Sequence, residues 1–259
     1  MIFFEGSTAL PLFISNVVTI MLIVFFGRDR YQQRQAYKNQ LARLETKALI
    51  AQMNPHFIFN TLNGIQSTMV LKGEEEANKY IGIFSGLLRK TLDMSALQNV
   101  KLSEEIDYLK NYIILQELRL NYPINTTYIV GDELDVDLSE IPALMVQPLV
   151  ENAILHGISP LKKQGELTII FKRIKDCLVA EVIDNGIGRK AAQRKKALIS
   201  IRDSKYPTAS KILQERIDIY NYVHETNSEF ILEDRLDDGE VKGTKAILKI
   251  PQLINIRSL

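Results

Sequence analysis

The stretch Gln147 to Gly157, QPLVENAILHG, followed downstream by DNGIG at Asp184 to Gly188, limits the possible folds more sharply than any other part of this sequence. In the first, Leu149, Val150, Ala153 and Ile154 recur at helical spacing, so one face can enter a core. Asn152 and His156 are four apart, as are Glu151 and Leu155, and each pair shares a helix face. Polar groups gathered on one edge of an apolar helix need partners, either in the fold or in a ligand. DNGIG ends an alternating strand pattern (Leu178, Ala180, Val182, Asp184), and its glycines let backbone approach something closely. Alone, DNG is a common turn and ENA an ordinary packed helix. Their order and spacing give them weight.

At 259 residues the chain can form one large or two modest domains. Its net charge of +1 makes no case for direct contact with nucleic acid. The single cysteine, Cys177, stands among apolar strand residues and reads as a buried structural thiol, which excludes an internal disulfide framework. His56, His156 and His224 are far apart and show no metal-ligand spacing.

Ser7 to Phe26 is an uncharged run of about the twenty residues needed to cross a bilayer, and its Pro11, Ser15, Asn16 and Thr19 are tolerable there. No Lys or Arg precedes it, whereas Arg28, Arg30 and Arg34 follow at once. The asymmetry predicts a single-pass anchor with the N-terminus outside and everything from Arg28 onward cytoplasmic. A buried core helix is the bland alternative; the length and charged flanks favour the anchor. Only six residues precede the run, so a signal is expected through the membrane helix, a separate sensing protein or a further upstream segment.

From Arg28 to Gln52 the chain is polar and helix-forming, and Tyr37, Leu41, Leu44, Ala48 and Ala51 make a short coiled-coil-like seam. A parallel dimer suits that seam, with a single amphipathic helix as the alternative. Next comes QMNPHFIFNTLNGI, where Pro55 should bend or restart the helix and Asn60 shares a face with His56. One histidine beside Phe57 and Phe59 is either packed in place or reactive; a neutral imidazole is a good nucleophile near pH 7. Glu74 to Leu97 and Leu102 to Tyr122 read as two more helices, the second with Ser103 as N-cap and Glu104 and Glu105 suiting the helix dipole.

At Pro123 the pattern changes. Strands are expected over Ile124–Val130, Glu166–Ile174, Leu178–Asp184, Phe230–Leu236 and Lys245–Ile250, with a turn at Asp237-Asp238-Gly239 and Pro142 opening the QPLVENAILHG helix. The expected class is α+β, with domains at 1–27 (anchor), 28–122 (linker and helical region) and 123–259, the last an α/β sandwich of mostly antiparallel sheet backed by helices. Between DNGIG and the last helix, Arg189 to Lys211 carries eight basic residues against Asp203. It is either a solvated face or a lid over phosphates.

QPLVENAILHG and DNGIG together resemble the N box and first glycine box of the ATPase domain shared by histidine kinases, Hsp90 and gyrase, the GHKL or Bergerat fold, and Gly243-Thr244 opens a last strand where that fold contacts nucleotide. With MNPHFIFNTLN in front, the chain resembles the LytS-like sensor histidine kinases over roughly Lys47 to Pro251. The resemblance implies a helical dimerisation and phosphoacceptor region and autophosphorylation of His56 by ATP. It implies that Asn152 binds the magnesium (Mg2+) bridging the phosphates and that Asp184 accepts the adenine amino group. Gly186 and Gly188 then shape the pocket, and Thr244 supports the adenine contact. The phosphoryl group passes to an aspartate of a cytoplasmic response regulator, often of LytTR type. An Asn carbonyl suits magnesium, and a carboxylate, which only accepts hydrogen bonds, selects an exocyclic amine. Glu151 is assigned to take the proton from His56, because Phe57 stands where an acid would otherwise follow. His156 either contacts phosphates or caps the helix end.

One departure is visible: PTASKILQERIDIYN has Ala209 and Ser210 where the family's second glycine box would have glycine. That favours a second reading, a signalling adaptor that binds nucleotide without transferring phosphate. A third, an ATPase that drives conformational closure, leaves NPHFIFN unexplained.

Overall fold

The computed structural model describes residues 13, 16, 17, 19–33, 55–120, 122–192, 194, 209–237 and 240–252. The chain divides into two compact units, Met1–Glu45 and Thr46–Leu259. In the first, residues 19–33 are helical, and Ile20, Ile23, Phe25 and Phe26 are exposed. Among the described residues no helix is long and apolar enough to cross a membrane. Part of the expected span, and the coiled-coil seam beyond residue 33, lie outside the described residues.

The second unit begins with three helices, α1 (Pro55–Lys72), α2 (Glu74–Ser95) and α3 (Leu102–Leu120), α2 and α3 being separated by a short strand β1 (Asn99–Lys101). Pro55 stands at the start of α1, where a missing N–H costs nothing. α3 starts one residue before the expected Ser103 cap. Its first N–H groups instead reach carbonyls of the following loop, Leu102 to Ser139 (2.8 Å) and Ser103 to Val136 (2.9 Å).

Five strands form the main sheet: β2 (Ile124–Val130), β4 (Gly165–Ile174), β5 (Cys177–Asp184), β6 (Glu229–Asp237) and β7 (Glu240–Pro251), in the order β2-β4-β5-β7-β6. β2 runs parallel to β4 and every other pairing is antiparallel, as expected of a mostly antiparallel sheet. β1 pairs separately with β3 (Glu140–Pro142), so Pro142 closes a strand and does not open a helix. The helix α4 (Gln147–Asn152) starts five residues later, with Pro148 in its first turn.

Alternation along the strands faces Leu167, Ile169 and Phe171 of β4, Leu178, Ala180 and Val182 of β5, and Ala246, Leu248 and Ile250 of β7 into the core. Leu149 and Val150 of α4 and Leu213 and Ile217 of α5 (Ala209–His224) belong to the same core. Cys177, expected to be buried, is only half-buried, because it is the first residue of β5. Of the basic segment Arg189 to Lys211, expected as a solvated face or a lid, residues 193 and 195–208 lie outside the described residues.

Candidate nucleotide-binding site

The QPLVENAILHG segment is not one regular helix. After Asn152 it widens into a π-turn over Ala153–Ile158, where the Ser159 N–H donates to the Ile154 carbonyl, five residues back. Such turns recur at functional sites. The wider turn loosens the four-residue stacking expected of Asn152 and His156. His156 is exposed, whereas Glu151 and Asn152 are half-buried.

The π-turn delivers Gly157 against the end of β5. A Cβ on Gly157 would lie 2.6 Å from Asp184 Oδ1, and one on Gly186 would run into the Gly157 backbone. The Ile187 N–H donates to the Gly157 carbonyl at 3.1 Å. On the other side, Gly243 adopts φ +129°, and a Cβ there would strike the Asp184 carbonyl. Three glycines from separate parts of the chain therefore pack at Asp184, Gly157 against its carboxylate, Gly243 against its backbone and Gly186 against Gly157.

That carboxylate is 1 % exposed. Asp184 Oδ1 accepts the Gly186 N–H (2.7 Å) and the Thr244 N–H (3.3 Å), while Oδ2 accepts the Thr244 hydroxyl. Burial pushes the Asp184 carboxyl above its ordinary value; the Thr244 and Gly186 hydrogen bonds and the Arg235 charge pull against that rise. With one donor on Oδ2, that oxygen still has acceptor capacity for an amine. Gly188, at φ +76°, turns the chain out of the site beside Val241, and the Arg189 N–H is fixed to Asp234 at 2.9 Å.

Glu151 lies on the α3 side of the site. Burial raises the Tyr112 hydroxyl well above its ordinary value, and the Glu151 charge adds to the rise. Burial lowers Arg119, and the charges of Tyr112 and Glu151 oppose that. His56 is the second residue of α1, and its side chain lies outside the described detail. The structure thus draws Asp184, Gly186 and Thr244 into direct contact, with Gly188 in the turn beside them.

Four residues that the sequence reading did not assign to the site help to build it. Gly157 and Gly243 sit inside the quoted motifs, and their neighbours were the signal. Glu105 and Arg216 are buried charges on otherwise apolar helix faces; Glu105 shares its face with Leu102, Tyr108, Leu109 and Tyr112. Glu105 stands in the first turn of α3, as expected, but its full burial gives it a tertiary role beyond the helix dipole.

Residues 44–124 match the family described as histidine kinase. Over 175 residues the chain is 34% identical to the sensor histidine kinase YpdA of Escherichia coli K12, covering 68% of this chain and 29% of YpdA. It is 29% identical to the sensor protein LytS of Staphylococcus epidermidis over 211 residues, covering 73% of this chain and 35% of LytS. The chain spans about a third of the length of these curated relatives. Histidine kinase ThkA, solved in complex with the response regulator protein TrrA, overlaps 85% of this chain and 66% of its own, with TM-score 0.42 and 14% identity. The class defined by the family match, the two curated relatives and the motifs is the histidine kinases. Within it, the chain is a relative of the LytS-like sensor histidine kinases.

Proposed function

We propose that this chain is an ATP-dependent protein-histidine kinase of a two-component system. The observation that carries the reading is the Asp184 carboxylate, buried and held between Gly186 and Thr244, with Oδ2 able to accept an adenine amine. The site chemistry fits the nucleotide: neutral backbone closes around an acceptor-only group. Asn152 is assigned to magnesium, which supplies charge neutralisation on the phosphates when bound. Among the described residues no group of three or more His, Cys, Asp or Glu could hold a metal. With Asn152 as its protein ligand, a bound magnesium ion would keep most of its waters and share the phosphates.

In the proposed reaction a His56 ring nitrogen attacks the γ-phosphorus, the bond to the β-phosphate bridging oxygen breaks, and ADP leaves. Glu151 takes the imidazole proton. The phosphoryl group then moves to an aspartate of a cytoplasmic response regulator, for which a LytTR-type protein is the expectation. His156 is exposed on the π-turn, and its role is either to contact phosphates or to cap the helix end. A homodimer is proposed through α1 and α2, where Phe59, Leu62, Met69, Ile81 and Leu92 are exposed. The apolar run before Arg28 is proposed as the membrane anchor, in keeping with the exposed apolar side chains of residues 20–26.

Ala209 and Ser210 at the start of α5, in place of glycines, favour the adaptor as a second reading. Incubating the full chain with magnesium and γ-labelled ATP separates the two. The kinase gives an acid-labile, alkali-stable label, whereas the adaptor binds ATP and stays unlabelled.

A further inference from the structure

The loop Ala143–Val146 leads directly into α4, which carries Glu151 and Asn152. All four of its residues are buried, and Leu144 holds φ +56° without being glycine. Such a backbone persists only where its surroundings over-determine it. Two side chains do so. Glu105 of α3 accepts the Leu144 N–H on Oε2 (3.0 Å) and the Val146 N–H on Oε1 (3.2 Å). Arg216 of α5 donates from Nη1 to the Leu144 carbonyl (2.7 Å) and from Nη2 to the Ala143 carbonyl (2.8 Å).

Val146 is the N-cap of α4 and makes no side-chain cap bond, so the loop sets where that helix begins. One turn beyond Glu105, the Tyr108 hydroxyl donates to Gln147 Oε1 at 3.3 Å and accepts from Thr91 Oγ1 of α2 at 3.2 Å. A polar path therefore runs from α2 through α3 to the first residue of α4. Arg216 adds α5, the helix that follows the basic segment. The charged and titratable groups around Glu105 are Arg216, Lys90 and Tyr108. None of the hydrogen bonds described for Glu105 and Arg216 goes to Asp184, Gly186 or Thr244, so the clamp is separate from the adenine contacts.

We propose that Glu105 and Arg216 are positioning residues: they clamp the Ala143–Val146 loop between α3 and α5 and make the placement of Glu151 and Asn152 follow the position of α3. The inference rests on the kinase reading for its catalytic consequence, and on geometry alone for the coupling. It gives the helical region a mechanical route to the nucleotide site.

The test compares the full wild-type chain with Glu105→Gln, which keeps shape but turns one acceptor into a donor, and Arg216→Lys, which keeps charge but loses the planar fork. ATP affinity is expected to stay within about threefold of wild type, whereas His56 labelling at saturating ATP falls about tenfold or more, the size of effect expected from misplaced catalytic groups. Amide hydrogen exchange along α3 is expected to slow on ATP binding in the wild type, and to lose that response in both variants. Labelling that falls only as far as ATP affinity or folded fraction does, with the α3 response intact, would overturn the proposal. A wild type that binds ATP without labelling would overturn the kinase reading instead. The exchange comparison would then decide the clamp by itself.

Discussion

Phe57 stacks on Tyr112, with ring centroids 5.2 Å apart and planes 27° from parallel. The residue that follows His56 is thereby fastened to the middle of α3. Tyr112 is itself held by the Gln116 amide, which donates to its hydroxyl at 2.7 Å, and its hydroxyl feels the charge of Glu151. The turn that carries His56 and the helix that carries Glu151 thus approach the same aromatic residue from different elements.

Phe57→Ala should loosen that attachment without touching the contacts around Asp184. For a half-buried ring the loss is about 2 kcal/mol, below the roughly 3–5 kcal/mol for deleting a fully buried aromatic side chain. In a unit of this size that lowers Tm by about 4–8 °C, which calorimetry measures, and ATP affinity should be unchanged.

Thr244→Val removes the hydroxyl donor to Asp184 Oδ2 and keeps a side chain of similar shape. The ionised carboxylate is the form that accepts an amine, and the lost hydrogen bond was holding the proton affinity down. The pH at which ATP affinity falls on acidification should therefore move upward in the variant. Equilibrium binding across a pH series reads this directly; an unmoved midpoint would detach Thr244 from the adenine contact.

Gly243→Ala forces a side chain onto the Asp184 carbonyl at a backbone angle reserved for glycine. We expect a loss of about 3 kcal/mol or more in urea unfolding, together with lost ATP binding. Gly82→Ala, in α2 with open space around its Cα, should be neutral or slightly stabilising by the same measurement.

Glu105 supplies a pH signature of stability. Burial pushes its carboxyl up to about 7, against an ordinary 4.5, despite the Leu144 and Val146 amides and Arg216. Between those values the folded state holds more protons than the unfolded state, so this group's contribution falls as pH rises. The Glu105→Gln variant lacks that slope. Its stability relative to wild type should improve by about 2 kcal/mol between pH 5 and pH 8, as urea unfolding at the two pH values would show.

The periodicities of Leu149, Val150 and Ile154, and of Leu178, Ala180 and Val182, were enough to place the N-box helix and β5. Those signals are local. The parallel pairing of β2 with β4 depends on contacts between distant segments, and no pattern within Ile124–Val130 specifies it. The π-turn at Ala153–Ile158 was hidden because the same apolar residues satisfy a 3.6-residue period over so short a span. Pro142 was misplaced because proline suits a strand end as well as a helix start. The tertiary role of Glu105 was hidden because an acid in a first helical turn has a ready local explanation, and only the fold brings Leu144 and Val146 to it. The Asp184 site was legible because its contacts come from motif residues, Gly157, Gly186 and Thr244, whose chemistry is unusual where they stand.

The most direct test of the account is labelling of the full chain with γ-labelled ATP and magnesium, comparing wild type with His56→Ala and Asn152→Ala. The account predicts an acid-labile, alkali-stable label on the wild type that is absent from His56→Ala and lost or greatly reduced in Asn152→Ala. A label that persists in His56→Ala, or a wild type that binds ATP and acquires none, would contradict it.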